Sequence, residues 1–371
     1  MIRVLEVFGE PISYGGQESF FFNVLQHIDV DNLNIDIFTP YYCDNDISRK
    51  MVEDYGGKLT TIGLPFEPGK SRTNIYKPLI SHLRKNQYDV VHIHSGSTSV
   101  LALAARAAGR CGVKKIIVHS HCTGTKKNLT YRLTKSILAP FLNHYPTDYC
   151  ACSKEAGEWK FSPQAMKKLI ILKNGIDLDK FRYSPETRER IRNELGIKPD
   201  DYIIGHVGRF SYQKNQEFIV DLLKAIKPSI PKTKVIFVGS GETLEQIKKQ
   251  AEEYSLRDDI YFIGNVNNVQ DYLQAMDVFV FPSRFEGLGI AGIEAQAVGL
   301  PVIASTNVPD ELGRTSLVQF VDLRNKDLWI TSLAEARESE RQDVRENLRY
   351  SGYDIRNTSD QIHEIYLSKH E

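Results

Sequence analysis

The sequence has no long hydrophobic segment. None of its 371 residues belongs to an uninterrupted apolar run of about 18 residues, the length that a membrane-spanning helix requires. The N-terminus, from Met1 to Val7, mixes charged and apolar residues like a first β-strand and does not have the organisation of a secretory signal peptide. The sequence therefore predicts a cytoplasmic protein.

Paired cysteines are also absent. The five cysteines are an odd number, and no two of them form a C-x-x-C pair; they are Cys43, Cys111, Cys122, Cys150 and Cys152. A disulfide framework and a thiolate zinc site both need paired cysteines, so neither is predicted. We expect reduced and mostly buried thiols, which agrees with a cytoplasmic location.

The chain has no net charge, because 47 basic residues balance 47 acidic ones. This balance disfavours nucleic acid as a partner, since nucleic-acid-binding domains are strongly basic. The two halves nevertheless differ, and residues 1–172 hold 21 basic and 15 acidic residues. Between Arg49 and Lys135 there are 16 basic residues and four acidic ones. This segment is interpreted either as solvated helix faces or as a patch that contacts an anionic membrane surface.

The length and the order of apolar segments predict two α/β domains. A chain of this size corresponds to about two domains, each large enough to bury its own core. Short apolar runs alternate with helical stretches from Val4 to Ser120, and the same alternation begins again at Tyr202 and continues to Ala304. Such alternation is typical of a parallel sheet covered by helices on both faces. We predict two doubly wound, Rossmann-like domains that face each other across a ligand cleft.

The predicted boundaries follow from this alternation. The linker is placed near Leu172–Phe181, so that the first domain comprises residues 1–172 and the second residues 173–345. Residues 346–371 are predicted to form a final segment with an amphipathic helix. No short repeat and no low-complexity segment occurs in the sequence.

Three glycine-containing loops each follow a predicted strand and precede a predicted helix. They contain Gly15 and Gly16, Gly208, and the run Gly239-Ser240-Gly241-Glu242. Free backbone N–H groups and the helix dipole favour a phosphate at such a position, and glycine lets the ligand approach closely. Each loop taken alone could equally be a simple turn.

Two cations follow the first strand of the second predicted domain. Arg209 comes directly after Gly208, and Lys214 follows five residues later. An arginine fork and a lysine charge would neutralise a departing diphosphate, a task that Mg²⁺ performs in sites without basic residues. The alternative is that both are solvated loop residues.

The segment from Asp277 to Ala295 carries the most specific pattern. A predicted strand leads to Glu286, glycines surround the start of the next helix, and Glu294 follows after eight residues. If most of the interval is helical, the two carboxylates lie up to ~12 Å apart. This is too far for a pair that acts on one bond. It suits the two hydroxyl-bearing ends of one extended ligand, a sugar and a ribose, with a diphosphate between them.

These segments together resemble the retaining glycosyltransferases of the GT4 family, which have the two-domain GT-B fold. The resemblance covers essentially the whole chain and rests on motifs that occur in the family's order. They are Gly15-Gly16, Asn174-Gly175-Ile176-Asp177 with Phe181, Gly208-Arg209 with Lys214, Gly239-Ser240-Gly241-Glu242, Asp277 with Pro282-Ser283, and Glu286-x₇-Glu294.

The resemblance implies roles for individual residues. Arg209 and Lys214 would bind the donor diphosphate, Glu286 the donor sugar and Glu294 the nucleotide ribose. The predicted nucleotide-sugar site comprises Gly15, Gly16, Asn174, Gly208, Arg209, Lys214, Gly241, Glu286, Gly287, Leu288, Gly289 and Glu294. No metal or other cofactor is expected, and the final helix is expected to cross back onto the first domain.

Two H-x-H pairs end predicted strands of the first domain. His92 and His94 form one pair, and His119 and His121 the other. Alternate residues of a strand share a face, so the pairs could be metal ligands in a hydrolase, or they could be structural. In the GT4 family a histidine after the second of these strands contacts the donor sugar. The alignment favours His121 over His119 for that role and makes it a predicted catalytic residue with Glu286, Arg209 and Lys214.

The predicted function is therefore retaining transfer of a hexose-type sugar from a nucleotide-diphosphate sugar, with a UDP-sugar as the expected donor. The acceptor would be a lipid-linked or glycan molecule in bacterial surface polysaccharide assembly, bound by the first domain. A UDP-sugar 2-epimerase on the same fold and a non-catalytic nucleotide-sugar-binding protein are the alternatives. If the acceptor is lipid-linked, the basic first domain would face the inner membrane surface. The pattern leaves the sugar, the linkage and the oligomeric state open.

Overall fold

A computed structural model of the chain describes residues 1–13, 16–67, 72–121 and 129–368, with only the backbone described for residues 129–132. It divides into two compact units. The first unit comprises Met1–Gly175 together with Ile355–Glu371, and the second comprises Ile176–Asp354. The first break therefore follows residue 175, where the sequence placed it after residue 172. The second unit extends to Asp354, beyond the predicted end at residue 345.

The first unit is built on a parallel sheet. In the described part of the chain its strands are β1 (Ile2–Phe8), β2 (Leu33–Thr39), β3 (Leu59–Thr61), β4 (Val90–Ser95), β5 (Lys115–Ser120), β6 (Asp148–Ala151) and β7 (Leu169–Ile171). Their spatial order is β3-β2-β1-β4-β5-β6-β7. Every residue of β4 and β5 is buried, as expected for central strands that are covered on both faces.

Helices cover both faces of this sheet. The helices that the structure describes before residue 175 are α1 (Gly16–Leu25), α2 (Asp46–Asp54), α3 (Tyr76–Lys85), α4 (Thr98–Arg110), α5 (Leu129–His144), α6 (Lys154–Lys160) and α7 (Pro163–Met166). The alanine-rich α4 buries Ala104 and Ala108 one turn apart, and it packs between α3 and α5. Small side chains at this spacing let helix and sheet approach closely.

The second unit repeats the same plan. Its described strands are β8 (Tyr202–Val207), β9 (Thr233–Val238), β10 (Ile260–Gly264), β11 (Val278–Phe281), β12 (Val302–Ser305) and β13 (Val318–Val321). They are parallel in the order β10-β9-β8-β11-β12-β13. Its helices are α8 (Pro185–Glu194), α9 (Gln216–Ile226), α10 (Leu244–Glu253), α11 (Val269–Ala275), α12 (Ile290–Ala297), α13 (Lys326–Arg337) and α14 (Arg345–Tyr350).

The last helix, α15 (Ile355–Leu367), returns to the first unit. It buries Ile355, Ile362 and Tyr366 and packs on α1 and β1. These residues are seven and four positions apart, which places them on one face of a helix. The structure thus confirms the predicted fold class, two doubly wound parallel α/β units with a C-terminal helix that crosses back.

In each sheet the strand order reverses once. The reversal lies between β1 and β4 in the first unit and between β8 and β11 in the second. At such a position the loops after the two strands diverge to opposite faces and leave a crevice at the carboxyl edge, where doubly wound sheets bind ligands. The loops after β8 and β11 carry the predicted donor residues, and those after β1 and β4 adjoin the histidines.

The sequence predicted no elements between residues 121 and 201, where the structure has several. They include the helices α6 and α8. Each begins at a serine N-cap, Ser153 or Ser184, whose hydroxyl oxygen accepts a hydrogen bond from a backbone N–H of the first turn. A serine before a proline or an acidic residue is a recognised helix start. The short strands β6 and β7 have only four and three residues, too few for a periodic pattern.

Candidate active site

The loops after β8 and β11 are joined to each other by hydrogen bonds. The backbone N–H of Arg284 donates to the carbonyl oxygen of Gln213 at 2.8 Å. The side chain of Asn215 donates from Nδ2 to the carbonyl oxygen of Pro282 at 3.0 Å, at a buried position. The two loops therefore form one assembly at the strand-order reversal of the second unit.

Lys214 and Glu286 form the charged centre of this assembly. The ammonium Nζ of Lys214 lies 2.7 Å from Oε1 of Glu286, and Nε2 of Gln213 donates to Oε2 at 3.3 Å. The side chain of Glu286 is only 6% exposed and that of Lys214 19%. The ammonium also lies 5.0 Å from the ring centre of Phe281, within range of a cation–π contact. A carboxylate and a lysine predicted to bind one ligand are thus already in contact.

Backbone conformation at Asn215 shows how the lysine is held. Asn215 precedes α9 with φ of 60° and ψ of 41°, a left-handed conformation that is uncommon for a residue with a side chain. The hydrogen bond to Pro282 offsets its cost. Gly208 leaves room for the side chain of Lys214, because a Cβ at position 208 would lie 3.3 Å from Cε of Lys214.

Helix α12 begins directly after the Glu286 loop. Its N-cap is Gly289, with φ of +83°, and a Cβ at this position would lie 2.5 Å from the Phe281 ring. Glycine is therefore required both by conformation and by space. Since Gly289 has no side chain to cap the helix, the N–H groups of Ile290 and Ala291 have no partner among the described residues and are available to an anion, whereas that of Gly292 donates to the carbonyl oxygen of Gly289.

Glu294 is the fifth residue of α12. The interval from Glu286 is loop as far as Gly289 and helical from Ile290 onward, so only about half of it is helical. Burial raises the pKa of Glu294 to about 7, against the opposing charges of Lys180 and Lys214. The group therefore titrates near neutrality and shares its electrostatic surroundings with the lysine that contacts Glu286.

Arg209 occupies a different position from Lys214. Its side chain is 70% exposed and its Nε donates to Oε2 of Glu242 at 3.0 Å. An exposed ion pair of this kind is worth little and is easily exchanged for another anion. The structure brings Lys214, Glu286 and Glu294 into one neighbourhood, whereas Arg209 stands at its solvent side.

Gly241 is explained by packing between two loops. A Cβ there would lie 2.3 Å from the carbonyl oxygen of Phe210, and the N–H of Phe210 donates to Ser240 at 2.9 Å. The backbone of the third glycine loop therefore lies directly against the loop after β8. This contact accounts for the glycine without a ligand.

The remaining predicted site residues have varied surroundings. Gly287 is exposed with open space where a Cβ would stand, and Leu288 is buried in the core of the second unit. Gly16 is exposed at the start of α1, and Gly15 lies outside the described residues. Asn174 has a buried Oδ1 that accepts no hydrogen bond from the described residues. For all of these, ligand binding stays a prediction.

The four histidines of the two H-x-H pairs pack together, and His92 and His94 lie against one glutamate, Glu6. Nε2 of His94 lies 2.6 Å from Oε2 of Glu6, and Nδ1 of His94 lies 2.9 Å from Nε2 of His121. Nδ1 of His92 lies 2.8 Å from the hydroxyl of Tyr366, which donates to Oε1 of Glu6. The C-terminal helix therefore supplies one member of this group.

Burial shifts the titration of the whole group. It raises the pKa of Glu6 to about 8, against the bond from Tyr366, and lowers the pKa of His121 to about 3. Burial likewise lowers the pKa of His92 to about 3, and it lowers those of His94 and His119 well below the usual value. All four imidazoles are neutral at physiological pH, because a desolvated imidazolium is unfavourable.

Ring nitrogens of His92, His94 and His119 all lie within 4.8 Å of one another, a spacing that would admit a metal ion. Both nitrogens of His94, however, are already used in hydrogen bonds to Glu6 and His121. His119 is fully enclosed, whereas His121 is partly exposed at the carboxyl end of β5. This placement favours His121 over His119 for contact with a ligand.

Two protein-family models match successive parts of the chain. The model described as Glycosyltransferase Family 4 matches residues 14–180, and the one described as Glycosyl transferases group 1 matches residues 187–310. Together they match a large part of each structural unit, and the matched residues include His121 and Glu286. The chain belongs to the GT4 family of glycosyltransferases and has the GT-B fold.

Curated relatives match over most of their length. EpsF of Bacillus subtilis (strain 168) is 28% identical over 375 residues, which covers 98% of this chain and 96% of EpsF. An Escherichia coli enzyme named UDP-Gal:alpha-D-GlcNAc-diphosphoundecaprenol alpha-1,3-galactosyltransferase is 29% identical over 311 residues, with 80% of this chain and 79% of the relative covered.

Solved structures share the fold at low sequence identity. Anabaena HepE in complex with UDP and glucose superposes with a TM-score of 0.79 at 17% identity, and the match covers 100% of each chain. The lipopolysaccharide glycosyltransferase WaaG gives 0.74 at 17% identity, with 98% of this chain and 100% of WaaG covered. In the part of the chain that the structure describes, no helix has the length and apolar character needed to cross a membrane.

Sequence reasoning missed several residues of the site. Gln213 contacts Glu286, and the charge of Lys180 acts on Glu294, but neither belongs to a recognisable motif. Glu6 and Tyr366 are 360 positions apart, and only the return of α15 brings them together. The one available signal was a lone glutamate in an apolar first strand, since buried carboxylates need partners.

Proposed function

We propose that this glycosyltransferase transfers a hexose, with retention of anomeric configuration, from a UDP-sugar to a lipid-linked or glycan acceptor. The polysaccharide context is supported by relatives such as the E. coli galactosyltransferase, whose name specifies a diphosphoundecaprenol-linked acceptor. The choice of UDP is supported by that name and by the HepE complexes with UDP and UDP-glucose.

The contact between Lys214 and Glu286 at the start of α12 carries the proposal. A partly buried carboxylate can accept two hydroxyl groups of a sugar ring, and the nearby helix N-terminus attracts the diphosphate. Lys214 neutralises Glu286 before the donor binds and can then interact with the leaving phosphate. A charge placed before reaction, in a site of low polarity, stabilises developing negative charge with little reorganisation.

Retention is proposed to proceed by attack of the acceptor on the face from which the phosphate leaves. The departing phosphate oxygen takes the proton of the acceptor hydroxyl, so the protein need not supply a nucleophile. Lys214, Arg209 and the N–H groups of α12 would share the phosphate charge, and we propose that transfer needs no metal. Activity should then survive chelation by EDTA, and its abolition would refute this part of the proposal.

A donor screen tests the function. Purified protein is incubated with UDP- and GDP-sugars, and release of UDP or GDP is measured with and without undecaprenyl-diphosphate-linked sugars. Glu286→Gln should reduce transfer at least a hundredfold while UDP still binds, because the amide cannot accept the same hydroxyls. Glu245→Gln, at an exposed position of α10, is the matched control and should retain full turnover. Unchanged turnover in Glu286→Gln would remove the assigned role.

The two alternatives predict different products. A UDP-sugar 2-epimerase would consume donor without acceptor and leave a different UDP-sugar, which anomeric NMR detects. A non-catalytic sensor would bind UDP-sugar and release no UDP when acceptor is added. The contact between Lys214 and Glu286, taken together with the family match, favours a catalytic protein over a sensor. Analysis of the products distinguishes the transferase from both alternatives.

We further propose that the first unit binds anionic membrane surfaces. Helix α5 exposes Leu133 by 55% and Ile137 by 69%, one turn apart. Helix α4, which packs on α5, ends at the exposed Arg110, and Lys114 is exposed in the turn after it; α3, on the other side of α4, carries the exposed cations Lys77, Arg84 and Lys85. Apolar side chains beside cations suit an interface with anionic lipid.

Vesicle flotation tests this surface. Binding to anionic vesicles should weaken as salt rises, because screening shortens the range of the attraction. The double variant Leu133→Ser with Ile137→Ser should bind less, whereas Tyr350→Ser, which removes a 90% exposed side chain of the second unit, should not change binding. Equal binding by all three proteins would assign the patch to ordinary solvated surface.

A further inference from the structure

A chain of hydrogen bonds connects His121 to the interior of the first unit. It runs from Nε2 of His121 to Nδ1 of His94 at 2.9 Å, and from Nε2 of His94 to Oε2 of Glu6 at 2.6 Å. Tyr366 closes the inner end by donating to Oε1 of Glu6. His94 and Glu6 have no exposed surface, and Tyr366 has 3%. At the other end of the chain, Nδ1 of His121 is a buried atom that makes no hydrogen bond with the described residues.

The positions of the protons follow from the chemistry of each group. A neutral imidazole carries one N–H and one lone pair. When Glu6 is ionised, His94 must donate from Nε2, so its Nδ1 accepts from Nε2–H of His121. His121 then presents a lone pair at Nδ1. Tyr366 donates to Glu6 in this arrangement and accepts from Nδ1–H of His92.

Protonation of Glu6 reverses the direction of donation in both of the hydrogen bonds that His94 makes. A proton enters at Nδ1 of His121, the Nε2 proton of His121 moves to Nδ1 of His94, and the Nε2 proton of His94 moves to Oε2 of Glu6. One proton has been gained, no imidazolium remains, and His121 now presents N–H at Nδ1. The bonds seen in the structure are compatible with both arrangements, since only the direction of donation changes.

We propose that Glu6, His94 and Tyr366 are positioning residues that set the tautomer of His121, so that this side chain presents a hydrogen-bond acceptor or a donor according to the protonation of Glu6. The inference rests on the proposed function for its consequence, because His121 is the residue expected to contact a hydroxyl of the donor sugar. The hydrogen-bond chain itself depends only on the first unit.

The ring of Phe20 packs against the histidines of the hydrogen-bond chain. Its ring centre lies 5.2 Å from that of His119 and 5.4 Å from that of His121. An apolar wall raises the cost of charge and therefore favours proton shifts that leave every imidazole neutral. Burial places the pKa of Glu6 at about 8, so both arrangements are accessible near neutral pH.

Among the described residues, the other titratable groups around the hydrogen-bond chain are His92 on β4, His119 on β5 and Cys150 on β6. Nδ1 of His92 lies 3.4 Å from Oε2 of Glu6. Burial raises the pKa of the Cys150 thiol, and Asp148 and Lys115 act on it with opposite signs. Neutral thiol and imidazole groups stabilise neither arrangement by charge, which leaves Glu6 as the group whose protonation controls the chain.

Nuclear magnetic resonance of ¹⁵N-histidine-labelled protein tests the proposal without any substrate. Long-range ¹H–¹⁵N spectra from pH 6 to 9.5 report which nitrogen of each ring carries the proton. His94 and His121 should change from Nδ1–H to Nε2–H together, with one shared midpoint. Independent titration of the two rings, or tautomers that stay constant across this range, would overturn the proposal.

Two variants and one control make the test specific. Glu6→Gln should remove the pH dependence of both tautomers, because the amide cannot ionise. Tyr366→Phe should move the midpoint to higher pH, since its hydrogen bond lowers the pKa of Glu6. Tyr149→Phe removes a buried hydroxyl of the same unit that donates to Leu142 at 2.8 Å, and it should leave the midpoint unchanged. Equal shifts in both tyrosine variants would indicate a merely structural effect.

Metal analysis and kinetics complete the experiment. Stoichiometric zinc or another transition metal in the protein purified without chelator would overturn the proposal, because a metal would occupy the lone pairs that the chain uses. If the proposed function holds, KM for the donor should follow the same pH midpoint, and Tyr366→Phe should shift both. Coupled tautomers in a protein without transferase activity would refute the proposed function alone.

Discussion

Because four histidines are buried as neutral imidazoles, we predict that the free energy of unfolding of the first unit falls steeply below pH 6.5. His92, His94, His119 and His121 are neutral in the folded protein, because burial lowers their pKa values. In the unfolded chain each regains an ordinary pKa near 6.5. The unfolded state therefore binds more protons as pH falls, and folding is penalised below the unfolded pKa.

The size of the effect follows from linkage. When the pH falls from 7 to 5, each histidine whose folded pKa lies well below 5 lowers the free energy of unfolding by about 2 kcal/mol. Four such histidines lower it by about 8 kcal/mol. Glu6 acts in the opposite direction. Because its pKa is raised, it destabilises the fold between about pH 4.5 and pH 8, and its protonation on acidification raises the free energy of unfolding by about 2–3 kcal/mol. The net loss is about 5 kcal/mol, comparable to the whole stability of many domains.

Urea unfolding at half-unit pH steps from 5 to 7.5 measures this loss. His119→Leu should lower the pH slope by about 1.4 kcal/mol per pH unit and stabilise the protein at pH 5, because it removes one buried titrating group. His144→Leu, at an exposed position of α5, is the matched control and should leave the slope unchanged. If wild-type stability changes by less than about 1 kcal/mol between pH 7 and 5, the buried neutral cluster is refuted.

Other predictions concern the second unit. Because the pKa of Glu294 is about 7 and its ionised form accepts ribose hydroxyls better, donor KM should include a decrease centred near pH 7, which Glu294→Gln should remove while the change that follows the midpoint of Glu6 remains. Replacing Arg209 and Lys214 by methionine should weaken UDP binding ten- to a hundredfold more than uridine binding in calorimetry; equal losses would contradict a diphosphate role. Gly289→Ala should lower stability by about 1–3 kcal/mol in thermal unfolding, whereas Gly287→Ala, at an open position, should change it by less than about 0.5 kcal/mol.

The sequence alone determined the architecture. Buried strands such as β5, β8 and β11 appear as continuous apolar runs, and their alternation with amphipathic helices admits few arrangements other than parallel α/β sheets. The GT4 resemblance also followed from local motifs, because a strand, a glycine turn and a helix start are encoded by consecutive residues. Elements without such patterns, such as β7 with three residues, could not be predicted.

The candidate donor site was predicted in part. Lys214, Glu286 and Glu294 were identified from their spacing and from the resemblance, and the structure places them in one neighbourhood. The packing role of Gly241 and the exposed position of Arg209 were not foreseeable, because both depend on how two loops meet.

Only the tertiary structure decided the environment of the histidines. The H-x-H pairs were visible in the sequence, but their residues alone were compatible with a metal site, a structural cluster and a sugar contact. Their environment depends on Glu6 and Tyr366: the pairing of β1 with β4 brings His92 and His94 to Glu6, and the packing of α15 on β1 brings Tyr366 to it. Hydrogen-bond direction and burial are properties of groups brought together from distant positions. Local sequence therefore determined where the ligand-binding edges of the sheets lie, and long-range packing determined the chemistry at them.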